Sequence, residues 1–469
     1  MLTLATDTPQ FYNEICEMIR AFEDVDNIIL TDRNADMTVM ERVENGVLSA
    51  RASFRGEQGV FCEPFAPQDK PGDKRARKHA VKLAVYDVMK RVTHKRLPWG
   101  ALTGIRPTKF LRELSGNAAV LEKKYDLPPE KSALLARIDR VQEPFLTIPE
   151  NEIDVYIDIP FCRTRCSYCS FSTTDSTKGE ALMRPYVTAL MREADGCVSL
   201  LRDMERSVRC LYIGGGTPTA LTEGLFEEML TGITARFAPA REYTVEAGRP
   251  DTITEAKLRM MKSCGVDRIS INPQSMQEET LLRVGRSHTP DEIRACFLLA
   301  RQIGFETINA DLIAGLPGET PKMFADSLEK VMALIPENIT VHTLALKRGS
   351  RMAEAGVREH NAREVGQMVD FARETLTRAG YQPYYLYRQK YMTGNFENIG
   401  YALPGHEGVY NIDIMEETCD ILALGAGGTS KRVYPTGGRI ERAFNVKGIA
   451  EYASRAEEAV LRKRALFLS

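Results

Sequence analysis

From about residue 153 the chain alternates short β-branched runs with longer stretches of helical periodicity. The runs at 153–159, 209–213, 243–247, 267–272, 306–312 and 339–345 read as strands, with a helix-length segment between each pair of neighbours. Parallel strands need such crossovers, and consecutive right-handed crossovers curl the sheet they build. The pattern predicts an α/β fold, a partial or complete parallel β/α barrel of about six units, with its chemistry at the C-terminal ends of the strands. A flat doubly wound sheet is the alternative architecture.

The flanks carry different patterns. A candidate helix near 10–22, strand-like runs over 28–61 and a basic helix after Pro71 predict an N-terminal α+β domain over 1–145, ahead of a barrel domain over 150–350. A helix over 363–379 stops at Gly380, a residue suited to a C-cap. Tyrosines, glycines and further strand-like runs follow, so 351–469 is expected to be a C-terminal extension covering the substrate.

With 469 residues, 43% of them hydrophobic, the chain can build two or three cores. Lys plus Arg number 62 against 64 for Asp plus Glu, a formal charge of -2 that gives no global attraction to phosphate backbones. Nucleic acid is therefore not the expected partner. No run of about 18 apolar residues exists to span a bilayer, and residues 1–7 lack the charged and apolar regions of a signal peptide. The expected location is the cytoplasm.

Of ten cysteines only Cys162, Cys166 and Cys169 cluster, as C-x3-C-x2-C directly after the first barrel strand. Clustered cysteines in a chain without secretory features point to metal ligation rather than disulfides. Thiolates are the usual iron-sulfur ligands, and three of them leave one iron of a four-iron cubane open. A closed zinc site would need a fourth ligand, and no paired C-x2-C or H-x3-H lies elsewhere. The other seven cysteines read as small buried hydrophobes.

Polar residues recur where a barrel site belongs. Gly214, Gly215 and Gly216, followed by Thr217, Pro218 and Thr219, form a turn after the second strand whose backbone can approach a ligand and whose successive N–H groups can face an anion. Glu246 ends the third strand, Gln274 follows the fourth, Arg286 lies in the loop 285–288, and Asp311 lies within the fifth. A charge inside a buried parallel strand is costly unless it is paired or used.

The three-cysteine spacing after the first strand of a β/α barrel resembles the radical S-adenosylmethionine (SAM) superfamily. The blocks from Tyr156 to Cys162, Gly214 to Thr219, Gly285 to Pro290 and Asp311 to Pro317 narrow the resemblance to the oxygen-independent coproporphyrinogen III oxidase group, over roughly 150–350. Segments 97–109 and 392–401 look like its HemZ-type subfamily. The resemblance implies a [4Fe-4S] cluster on Cys162, Cys166 and Cys169, with SAM chelating the open iron. It implies SAM contacts at Tyr156, Gly215, Gly216, Thr217, Glu246, Gln274, Arg286, Asp311 and Ala345, with Glu246 or Asp311 suited to hydroxyls and Arg286 to a carboxylate. Two positions depart from the best understood members: Asp158 stands where they have histidine, and Phe171 where they have a fourth cysteine, as in the related haem-chaperone branch, HemW.

The implied reaction converts two propionates of coproporphyrinogen III to vinyls, giving protoporphyrinogen IX. It draws on an electron donor such as flavodoxin or ferredoxin and leaves the terminal acceptor unassigned. A tetrapyrrole carrying carboxylates calls for cationic anchors and an aromatic wall. Lys347, Arg348, Arg388 and Lys390, beside Tyr384, Tyr385 and Tyr387, are the candidates. Two alternatives stand: a HemW-like haem chaperone, and a radical SAM enzyme acting on RNA through segment 70–96, which holds ten Lys or Arg against two Asp. No residue is assigned a catalytic role, and His288 and His406 are left without one.

Overall fold

The six expected strands are present and adjacent. In the computed structural model they are β1 (Glu152–Ile159), β2 (Ser207–Gly215), β3 (Glu242–Gly248), β4 (Arg268–Ile271), β5 (Thr307–Ala314) and β6 (Asn338–Thr343). The structure describes residues 1–469 except 26, 33, 68–69, 105, 348, 358–360, 391 and 435–437. Five further strands complete the sheet: β7 (Gln382–Tyr387), β8 (Asn398–Ala402), β9 (Ile421–Leu424), β10 (Thr429–Val433) and β11 (Ile440–Phe444). The order is β7-β8-β6-β5-β4-β3-β2-β1-β9-β10-β11, parallel from β6 through β9 and antiparallel at both margins. β7 and β11 do not pair with each other, so the sheet is an open, partial barrel.

The strands are buried on both faces, as a parallel sheet covered by helices requires. β4 is buried throughout and β3 at six of seven positions. Crossover helices Glu180–Asp203, Glu223–Phe237, Glu255–Ser263, Pro290–Ile303 and Pro321–Met332 connect consecutive strands. Pro290–Ile303 shows how the sequence sets its own limits. Thr289 and Glu292 form a capping box, Pro290 occupies the first turn, and Gly304 ends the helix at φ +98°. Arg286 thereby stays in the loop before the helix, at the C-terminal side of the sheet.

The seventh parallel strand, β9, comes from far along the chain. It pairs with β1 through Ile421 beside Asp154 and Leu424 beside Ile157. Four apolar residues carry no periodicity that separates strand from helix. All of 137–393 and 397–469 forms one unit.

The remaining unit comprises 1–136 with 394–396. Its five-stranded sheet runs Ile28–Leu30, Leu2–Thr6, Met37–Glu44, Val47–Phe54, Glu57–Pro64 in spatial order. The helix Lys70–Thr93 packs across the last two of these strands. The approach is close: a Cβ on Gly59 would lie 2.3 Å from the Ala84 carbonyl oxygen. Part of the positive charge on this helix is paired within the unit: Arg77 with Glu41, Lys90 with Asp126 and Arg91 with Asp87.

Candidate active site

The cysteine loop starts where β1 ends. Phe161 and Cys162 pair with Thr174 and Asp175, which closes the base of the loop, and the Cys169 amide donates to the Cys166 carbonyl (3.1 Å) to form its turn. The glycines after β2 have a packing reason: a Cβ on Gly215 would meet Asp158 Oδ1 at 2.4 Å, and one on Gly216 would meet the Phe161 carbonyl at 2.5 Å and Cys162 Sγ at 3.1 Å. Only residues without a side chain let the loop lie against β2.

The reading of this turn as an anion cradle needs correction. The Gly216 and Thr217 amides donate to the Ile159 (2.8 Å) and Phe161 (2.7 Å) carbonyls. They are spent in holding the cysteine loop and do not face a ligand. Thr217 instead places its hydroxyl 3.5 Å from Cys162 Sγ.

A cavity of about 420 Å3 opens at the C-terminal ends of the strands. All three cysteines line it, together with Gly215, Gly216, Thr217, Glu246, Gln274, Arg286, Asp311 and Ala345. Tyr156 is set back from it, its ring stacked on Tyr212 (centroids 6.0 Å apart), and Tyr212 lines the wall. Residues of seven adjacent strands, β2 through β8, meet at this one cavity, so the sheet curves around it.

Burial pushes the Cys162 and Cys169 thiols up. At Cys166 burial acts the same way, but the guanidinium groups of Arg286 and Arg249 outweigh it and hold the thiol below its ordinary value. Arg249 was not anticipated, although it directly follows the third strand. It pairs with Asp251 (3.0 Å), donates to the Thr164 hydroxyl (2.6 Å) and lies 4.0 Å from Cys166 Sγ, fixing the cysteine loop from one side. Arg286 donates to the Asn272 carbonyl (2.6 Å), while its buried Nε has no hydrogen-bond partner among the described residues.

The two carboxyls of the cavity are shifted in opposite directions. Burial pushes Glu246 up to about 7, with the Tyr212 hydroxyl donating to it at 2.7 Å. Burial acts the same way on Asp311, but His342, then Asn309 and Thr340, outweigh it and hold that carboxyl below the ordinary range. Gln274 sits between β4 and β5 at φ +68°, its amide donating to the Asp311 carbonyl (2.8 Å). A strained backbone at such a position is a mark of functional sites.

Among the expected substrate contacts, Lys347, Tyr385 and Tyr387 line the cavity; Tyr384, Arg388 and Lys390 do not, and Arg348 lies outside the described residues. His406 bonds to the Thr307 hydroxyl (2.9 Å) at the opposite end of the strands. Phe171 is 66% exposed at the cavity's edge, and Asp158 is half-buried beside Gly215, its carboxyl raised to about 7 by desolvation.

The profile of the Radical SAM superfamily matches residues 156–331. The oxygen-independent coproporphyrinogen-III oxidase-like protein HemZ of Bacillus subtilis (strain 168) is 37% identical over 467 residues, covering 95% of this chain and 91% of that protein. The chain belongs to the HemZ family of radical SAM proteins. Heme chaperone HemW of Escherichia coli (strain K12) is 30% identical over 287 residues, 61% of this chain and 71% of its own. Among solved structures, coproporphyrinogen III oxidase HemN of Escherichia coli shares the fold, with TM-score 0.54 and 23% identity over 69% of this chain and 73% of that one.

A HemZ-family protein carries a [4Fe-4S] cluster and SAM. The residues present fit both. Three thiols from one loop face the cavity, one of them favoured as thiolate, and the orphaned Nε of buried Arg286 waits for an anionic partner beside them. No helix among the described residues is long and apolar enough to cross a membrane.

Proposed function

We propose that this radical SAM enzyme oxidatively decarboxylates two propionates of coproporphyrinogen III to vinyls, giving protoporphyrinogen IX. The observation that carries the reading is the continuity of one cavity from the cysteine loop, past Glu246, Arg286 and Asp311, to a wall of Tyr385, Tyr387 and Met415. The full-length similarity to HemZ supports it.

Cys162, Cys166 and Cys169 would hold the cluster, and Arg286 would meet the carboxylate of SAM. Glu246, its carboxyl raised to about 7, would donate to a hydroxyl in its protonated form, and Asp311, held charged, would accept from one. When bound, the cluster and SAM supply one-electron cleavage of SAM and, through it, hydrogen-atom abstraction from the substrate. The substrate arm then loses carbon dioxide and one electron, which an external one-electron acceptor takes, as the β-carbon hydrogen has already left. The tyrosine wall orients the macrocycle and excludes water, and the Lys347 ammonium would offset a propionate.

The second reading, a haem chaperone of HemW type, is favoured by Phe171 in place of a fourth loop cysteine. One experiment separates the two. Purified, reconstituted protein is incubated anaerobically with coproporphyrinogen III, SAM and a reductant. Vinyl product with consumption of SAM is expected; its absence, alongside stable stoichiometric haem binding, overturns the decarboxylase reading.

A further inference from the structure

Asp311 lies inside a parallel strand with its side chain 18% exposed, and a carboxylate there needs support. Its Oδ1 accepts from Asn309 Nδ2 at 2.8 Å, and Asn309 Oδ1 accepts in turn from the Thr340 hydroxyl at 3.2 Å. Its Oδ2 faces His342 Nε2 across 3.7 Å. The other ring nitrogen, Nδ1, lies 3.3 Å from the Tyr387 hydroxyl, and Tyr387 stacks on Tyr385 with ring planes 5° apart. The imidazole is held between a tyrosine of β7 and the carboxylate of β5, and all three side chains line the cavity.

Glu246 lines the same cavity and lacks this support: a tyrosine hydroxyl is its hydrogen-bond partner, where Asp311 has an amide and an imidazole. Histidine alternates among two tautomers and a cation, so what its second nitrogen bonds to decides what the first can offer. In the tautomer in which Tyr387 donates to Nδ1, the ring proton is on Nε2, the nitrogen that faces Asp311 Oδ2.

We propose that His342, oriented by Tyr387, is the positioning residue that holds Asp311 in place and aimed at the sugar hydroxyls of SAM. This rests on the assignment of Asp311 to SAM made above, and the test separates the two. His342 and Tyr387 also line the cavity, so the readout is the ratio of the two ligands, which isolates the part of their effect that passes through Asp311.

The test uses cluster-loaded protein without reductant and measures binding of SAM and of its 2′,3′-dideoxyribose analogue. The wild type is expected to prefer SAM, and Asp311→Asn to lose most of that preference. His342→Leu is expected to cut the preference by about tenfold, the size of one charge-assisted hydrogen bond, while binding of the dideoxy analogue and iron content stay as in the wild type. Tyr387→Phe should show a smaller loss in the same ratio, and His342→Gln, which restores a donor, a partial recovery. An unchanged ratio in His342→Leu alongside a collapsed ratio in Asp311→Asn overturns the positioning role. An unchanged ratio in Asp311→Asn overturns the SAM contact itself.

Discussion

Single side chains show how this unit balances site chemistry against stability. Asp154 lies at the opposite end of β1 from the cysteine loop, fully buried, with neither carboxyl oxygen hydrogen-bonded. Burial, then the charge of Asp413, push its carboxyl well above the ordinary range. In the folded state it therefore keeps a proton that the unfolded chain has released. Stability from this group is fully present below the unfolded value and falls, at about 1.4 kcal/mol per pH unit, as pH rises from there through the folded value. Asp154→Asn removes that slope: its stability relative to wild type should rise between pH 5 and 7 in urea denaturation. A difference flat in pH would show Asp154 to be ionised in the folded protein. Near the cluster, Gly216→Ala is expected to displace Phe161 and Cys162, because the added Cβ has a backbone oxygen at 2.5 Å. Iron and sulfide per chain should fall to about half or less, since close-packed backbone yields little. Gly224→Ala, where open space surrounds the new Cβ, is the matched control and should load normally.

At this scale the meeting of the cysteines, Glu246, Gln274, Arg286 and Asp311 at one cavity was legible because polar residues at strand ends and clustered thiols are local signals. Arg249 and His342 were not. Each acts through a partner distant in sequence, Thr164 for one and Asp311 with Tyr387 for the other. The spent amides of Gly216 and Thr217 were misjudged for the same reason, because their acceptors lie in the cysteine loop.

Between elements, one buried hub joins the end of the chain to the barrel. Glu193, on helix Glu180–Asp203, accepts from the Gly425 amide (2.8 Å) at the end of β9, from Asn445 Nδ2 (2.8 Å), from the Tyr452 hydroxyl and from Lys463 Nζ. Lys463 and Tyr452 belong to the final helix, Ile449–Leu468. Both charges are almost wholly inaccessible, at 0% and 1%. Removing one partner of such a pair strands the other, at a cost of about 3–5 kcal/mol. Lys463→Met should lower the urea midpoint accordingly. The double variant Glu193→Gln with Lys463→Met should recover part of the loss, since no buried charge is then left alone. If the double variant is no more stable than the single, the penalty lies in packing and not in charge. The helices that form this clamp could be read from periodicity; their pairing could not, because a lone glutamate or lysine in a helix reads as solvated surface.

The architecture as a whole was legible where it is built from repeats and opaque where it departs from them. Six β/α units gave six strands in order, since each repeat fixes the next neighbour. The β9 strand breaks that rule by returning from residue 421 to flank β1, and it brings Gly425 so close that a Cβ there would lie 2.3 Å from the Asp158 carbonyl oxygen. The last 66 residues, 404–469 of 469, thus complete the sheet at the strand that carries the cysteine loop. Without them β1 would present a bare hydrogen-bonding edge and Glu193 would lose the donors that satisfy it. A chain ending at residue 403 is therefore expected to lose cluster loading and to aggregate, even though every proposed SAM and cluster residue remains. Size-exclusion chromatography with iron analysis of the truncated chain checks this. Recovery of a monodisperse, iron-loaded product would mean that the strands β1 to β8 close the site unaided.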